Sequence, residues 1–116
     1  MAAERTIPAA EALLLADLIA PTEHGIASRV LAKNGGGNVT LFAFDTGEGL
    51  SEHTTPFDAL VIALDGALTL TIGGQRVDAA PGTIVRMPAD VPHAVEAPVA
   101  SRMLLIMLRE PKVASS

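Results

Sequence analysis

Two stretches decide the fold of this chain: GEGLSEHTTPFDALVIALDG, Gly47–Gly66, and GTIVRMPADVPHAVEA, Gly82–Ala97. In the first, Gly47 is followed by five residues and His53, then by one and Thr55, three and Ala59, six and Gly66. In the second, Gly82 is followed by five residues and Pro88, one and Asp90, two and His93, three and Ala97. Fifteen residues separate Gly66 from Gly82. Each stretch opens on a glycine suited to a tight turn, carries one histidine, and contains a β-rich run. The two histidines, His53 and His93, are the first candidates for chemistry.

Outward from these stretches, short β-rich runs alternate with Gly/Pro turns at intervals of roughly ten residues, which predicts an all-β sandwich or barrel. Ile26–Lys33 reads as a strand, Asn34–Asn38 as a glycine-rich turn, and Val39–Phe44 as the returning strand of a hairpin. Leu50–Leu64 is interrupted near Pro56, which cannot donate to a ladder and favours a bulge or bend. Asp65-Gly66 predicts a hairpin between Leu60–Leu64 and Ala67–Ile72, and Gly73-Gly74 another into Gln75–Ala79. Thr83–Met87, Pro92–Ala97 and Ser101–Arg109 complete the strands. Residues 8–18 read either as a short helix, with Thr6 as cap and Pro8 in its first turn, or as an extended arm. The expected division is an N-terminal arm over 1–25, a barrel domain over 26–110 and a fraying tail over 111–116.

Composition bounds the function. The chain has 116 residues, enough for one core. Three Phe with neither Trp nor Tyr leave that core to Leu, Val, Ile, Ala and Met. A net charge of −5 with no basic cluster speaks against nucleic acid and against anionic membranes as partners. The absence of Cys removes disulfides, thiolate catalysis and thiolate ligands. The weakly apolar run Ile7–Ala20 is broken by Glu11 and Asp17 and is preceded only by Arg5, unlike a secretory signal. Met103–Leu108 is too short to span a bilayer. These features predict a soluble, cytoplasmic protein.

The two stretches resemble the paired motifs of the cupin superfamily, Gly-x5-His-x-His-x3–4-Glu-x6-Gly and Gly-x5-Pro-x-Gly-x2-His-x3-Asn. The resemblance runs over about residues 37–109 and implies a single antiparallel β-barrel or jelly roll of the small bacterial type. It also implies that His53 and His93 meet inside the barrel. In the family, two histidines, a glutamate and a third histidine bind one divalent metal. Here the second histidine position is Thr55 and the glutamate position is Ala59, so the expected pocket is His53, Thr55, Ala59 and His93 with two imidazole ligands in place. Asp90 replaces the motif glycine, and Asp tolerates the left-handed region better than most residues.

Two imidazoles suit a divalent transition metal such as Zn, Ni, Cu or Fe; hydrogen-bonded pocket histidines with no metal are the competing reading. Glu52 and Asp58 are candidate replacement carboxylates, but strand alternation puts them opposite residues 53, 55 and 59. A bulge at Pro56 would turn Asp58 inward. His24, in a turn, is a candidate third imidazole only if the arm crosses the barrel mouth; otherwise it is a loop residue. Met87, Met103 and Met107 read as core that could line a pocket. Arg29, Arg86 and Arg102 read as outer-face charges, with an anionic ligand as the alternative.

The function these residues predict is small-molecule binding in the barrel at a degenerate His53/His93 site, with no assigned activity. The alternative is a metal-dependent enzyme of dioxygenase, isomerase or decarboxylase type, which two visible ligands support poorly. A vestigial pocket in an interaction module is the third reading. A metal-independent sugar epimerase of the superfamily would use a Tyr acid, and the chain has no Tyr. In Leu60–Leu64 and Met103–Leu108 both alternating faces are apolar, so both faces must be covered. A homodimer is therefore expected, and the resemblance points the same way.

Overall fold

The computed structural model describes residues 6–20 and 22–109. Nine strands are formed among them: β1 Ile26–Asn34, β2 Gly37–Phe44, β3 Gly49–His53, β4 Asp58–Asp65, β5 Leu68–Ile72, β6 Gln75–Ala79, β7 Ile84–Met87, β8 His93–Glu96 and β9 Ser101–Leu108. They make two antiparallel sheets, ordered β1-β2-β9-β4-β7 and β3-β8-β5-β6, which face each other as a jelly roll. Between them lie the inward positions of each strand. Phe44, Val61, Leu68, Leu70, Val95 and Met103 are the large residues fully buried there. With only three Phe in the chain, aliphatic packing dominates, apart from a Phe42–Phe44 stack with centroids 6.0 Å apart.

The glycine-rich turn is tighter than its composition suggests. Strand pairing continues to Asn34 and Gly37, leaving Gly35-Gly36 as a two-residue connection, and the Asn34 side chain accepts a hydrogen bond from Gly36 N–H at 2.7 Å. Gly73-Gly74 joins β5 to β6 as expected, with Ile72 opposite Gln75.

Asp65-Gly66 is not a hairpin. β4 pairs with β9 and β7, whereas β5 pairs with β6 and β8, so the chain crosses from one sheet to the other at this point. The Asp-Gly pair encodes the bend, with Gly66 at φ +79°, and Ser101 fastens the crossing. Its buried hydroxyl accepts from Ala67 N–H at 2.9 Å and lies within donating distance of the carbonyls of Ala67 and Val99.

Among the described residues the N-terminal region is an arm with one 3-10 turn, Leu15–Asp17, and no α-helix over 8–18. Tertiary contacts override helix propensity here: Ile7 N–H donates to Leu31 O at 2.9 Å, and the Arg29 guanidinium donates to Leu18 O at 3.3 Å. Arg29 thus ties the arm down rather than standing free in solvent. Leu41 pairs with Arg29 on the outer face of the larger sheet and is nonetheless fully buried. The arm therefore covers the β1–β2 half of that face. Residues 111–116 lie outside those described. No helix among the described residues is long and apolar enough to cross a membrane.

Candidate functional site

β3 and β8 pair at the edge of the smaller sheet, and their register sets the site. Leu50 lies opposite Val95 and His53 opposite His93, with the register shifting between the two pairs. Val95 and His93 are two apart and share the inner face, whereas Leu50 and His53 are three apart and would point to opposite faces of a regular strand. An extra residue in β3, at Ser51–Glu52, restores the match. The bulge that aims the chemistry is thus here, not at Pro56.

The two rings meet edge to face, 69° apart with centroids separated by 4.3 Å. Their Nε2 atoms are 3.2 Å apart. Each ring is anchored in the same way from behind: His53 Nδ1 lies 2.9 Å from Ser51 O, and His93 Nδ1 lies 3.1 Å from Val91 O. A carbonyl oxygen only accepts, so each Nδ1 carries the proton. The two Nε2 atoms are within hydrogen-bonding distance of each other, so one ring donates to the other or the pair shares a proton or an ion. His93 is 3% exposed, whereas His53 is open to solvent at the mouth. The pair thus has a rigid inner member and an accessible outer one.

The other predicted pocket residues divide. Thr55 and Ala59 line the same small void as the two histidines. The Thr55 hydroxyl donates to Phe57 O at 3.2 Å, and its carbonyl accepts from Asp90 N–H at 2.8 Å, so Thr55 serves the turn leading into β4. Asp90 occupies the left-handed region at φ +64°, where the motif has glycine. Ala59 is 2% exposed and offers no donor atom.

Asp58 does not turn inward. Within β4 the buried positions are Ala59, Val61 and Ala63, which leaves Asp58 on the outer face. There it accepts from Ala89 N–H at 2.8 Å and pairs with Arg86 at 2.8 Å. Those two contacts, the Ala89 N–H foremost, hold its carboxyl below the usual 3.8. Arg86 is committed to that pair, and Arg102 to Asp65 at 3.0 Å. His24 is equally remote. It sits at φ +57° in the turn before β1, and its N–H donates to the Asp45 carboxylate at 2.7 Å. Asp45 follows the far end of β2, seven residues from Asn38, which pairs with the pocket residue Met107; that is about 23 Å of strand. Neither Asp58 nor His24 joins the imidazoles within this chain, and no group of three or more His, Cys, Asp or Glu gathers among the described residues.

Sequence reasoning placed the methionines as core and missed their alignment. On the inner face of the larger sheet the ladder sets Asn38 beside Met107, Met107 beside Ala59, and Ala59 beside Met87. The position that lacks the glutamate is therefore flanked on both sides by thioethers. Met87 and Met107 line the void with His53 and His93. The void itself is about 30 Å³. A water needs about 10–15 Å³ by this measure, so it admits one or two waters or a single ion. Organic ligands occupy pockets of roughly 300–1,000 Å³.

A jelly roll with two inward histidines at its mouth defines a class of small β-barrel domain, and comparison with known proteins gives the family. The model described as "Cupin domain" matches residues 40–108, and the chain belongs to that family. It is similar to a conserved protein of unknown function from Streptococcus pyogenes, at 31% identity and TM-score 0.86, over 92% of this chain and 94% of that one. It is also similar to a cupin superfamily protein from Desulfitobacterium hafniense, at 31% identity and TM-score 0.84, over 90% and 96% of the two chains. A cupin 2 conserved barrel domain protein from Leptotrichia buccalis shares 34% identity at TM-score 0.77, over 81% of this chain but 46% of that longer one. No curated protein matches the chain.

Proposed function

We propose that this cupin domain is a binding domain whose ligand is held at the barrel mouth by Nε2 of His53 and Nε2 of His93, with no committed reaction. The observation that carries this reading is the approach of two Nε2 atoms to 3.2 Å, each ring held from behind by an Nδ1 contact to a backbone carbonyl. Any buried ring N–H needs such a partner, and these bonds also leave Nε2 as the nitrogen turned toward a ligand, the role outer hydrogen bonds play behind metal-binding histidines.

The family's four-donor divalent set does not fit these residues, because Thr55 is spent on Phe57 O and Ala59 has no donor. Two imidazoles do fit one ion: ligands about 2.0–2.1 Å from a tetrahedral centre lie about 3.3 Å apart. The ligand class is accordingly a transition metal ion, among Zn, Ni, Cu and Fe, which would supply Lewis acidity when bound. The small void narrows the reading of an organic molecule inside the barrel. Such a molecule would sit at the mouth over His53, with one group reaching the pair. Nothing in the site favours the enzymatic alternative, which calls for a third protein ligand. Metal analysis of untagged protein, followed by titration of the parent, H53A and H93A, tests the proposal. One ion per chain, lost in either variant, is expected; binding that survives both substitutions overturns it.

We also propose a homodimer in the cytoplasm. Leu60, Ile62, Leu104 and Ile106 are only half-buried on the outer face of the larger sheet, with Ile84 at 59% exposure beside them. The arm covers only the β1–β2 half of that face, and adds its own exposed Leu13, Leu14 and Leu15. A contiguous apolar surface of this kind is unusual on a monomer.

A further inference from the structure

The geometry points to a soft, singly charged ion, Cu(I), as the ion this site selects, held by the imidazoles of His53 and His93 together with the thioethers of Met87 and Met107. This rests on the binding function proposed above and adds to it the identity of the ion and two further ligands. Three observations converge. The ladder places Met107 and Met87 on either side of Ala59, on the inner face and in one row. Both methionines line the void of about 30 Å³ that the two histidines close, so their flexible side chains border the space an ion would occupy. The Asn38 amide lies 4.0 Å from Met107 Sδ, a weak contact to that sulfur from the neighbouring strand.

Charge decides between ions. The candidate donors, two neutral imidazoles and two thioethers, carry no charge. The nearest carboxylate on β4, that of Asp58, is committed to Arg86 and Ala89 on the opposite face. The desolvation cost of an ion grows with the square of its charge, so a dication held against this neutral lining at the mouth loses more hydration than a monocation. Among the described residues no carboxylate gathers with the two histidines to repay the difference. Thioether sulfur is a poor ligand for Mg, Mn or Fe(II) and a good one for Cu(I). The loss of glutamate and of one histidine from the family pattern thus leaves a different ligand set, not simply a weaker one.

The test is an anaerobic competition of the full chain against a chromogenic Cu(I) chelator, with Zn(II) measured in parallel. The parent is compared with M87L/M107L and H53A/H93A. Leucine conserves the volume of methionine, so the first variant should fold. The expected result is one Cu(I) per chain, at least tenfold weaker in M87L/M107L, with Zn(II) affinity unchanged within twofold by that substitution. X-ray absorption of the Cu(I)-loaded parent should show sulfur among the nearest scatterers, a readout that needs no variant. Cu(I) binding lost in H53A/H93A but unchanged in M87L/M107L, with no sulfur scatterer, would overturn the methionine assignment and leave the imidazole reading standing. A parent that binds neither ion would overturn both.

Discussion

Ala59 is the position at which the site can be rebuilt, and T55H/A59E, which restores the family's donors, has a calculable signature. Ala59 is 2% exposed between Met87 and Met107. A carboxylate placed there without a cation loses several kcal/mol of hydration, or stays protonated at a similar cost. Loss of the Thr55 hydroxyl bond to Phe57 O adds about 1 kcal/mol. A total near 4 kcal/mol is the working figure. At about 2.1 cal/mol/K per residue, the unfolding entropy of 116 residues is roughly 0.24 kcal/mol/K. The apo variant should therefore melt about 17 °C below the parent.

Metal should then reverse the loss. At one hundred times its Kd an ion that binds only the folded state contributes about 2.7 kcal/mol, or about 11 °C on the same scale. Differential scanning calorimetry of parent and variant, each with EDTA and with excess Zn(II), reads both effects. The variant should melt low in EDTA and recover most of the loss in Zn(II), whereas the parent, with two imidazoles and no carboxylate, should respond far less. A variant as stable as the parent and indifferent to Zn(II) would mean that residue 59 does not face the imidazole pair. A variant that melts low and does not recover would mean that the four positions do not converge on one point. Either result refutes the pocket geometry.

G66A should destabilise the fold by at least about 2 kcal/mol, because φ is +79° and a Cβ there would run into the Ser101 hydroxyl and the Ala100 carbonyl; thermal unfolding within 0.5 kcal/mol of the parent would contradict the sheet crossing drawn at that residue. The carboxyl of Asp58 is held below 3.8 in the folded state. Its ionised form is thus favoured by folding, and its contribution is present above about pH 4 and fades as pH falls through the depressed value. D58N should accordingly flatten the acid limb of a stability–pH profile while leaving its slope near pH 7 unchanged, and an unaltered acid limb would count against the Arg86–Asp58–Ala89 cluster. I106D, a charge on the uncovered half of the outer face, should convert a dimer to a folded monomer by light scattering; an unchanged mass with native circular dichroism would place the interface elsewhere.

What could be read from the chain was what is local. The doubly apolar runs of β4 and β9, the Gly73-Gly74 hairpin and the left-handed Asp90 are short-range facts, and each can be seen in a few residues. The bend at Asp65-Gly66 was legible too, but its meaning was not, since a turn signal says nothing about which strand lies alongside. β5 lies alongside β6 and β8 in the other sheet, and Ser101, on β9, fastens the corner through the backbone of Ala67. Likewise the convergence of His53 and His93 followed from motif spacing, while the means did not: the register shift at Ser51–Glu52 shows only when β3 is laid against β8. The pocket's missing donors were visible as Thr55 and Ala59, and the search for replacements ran along the chain to Glu52 and Asp58, its sequence neighbours. The residues beside Ala59 in space are Met87 and Met107, 28 and 48 positions away, brought there by pairing with β7 and β9. In a β protein the ligand environment is assembled across strands. Substitution at one family position is therefore answered by whatever side chains the ladder sets on either side of it, and at Ala59 those are two thioethers.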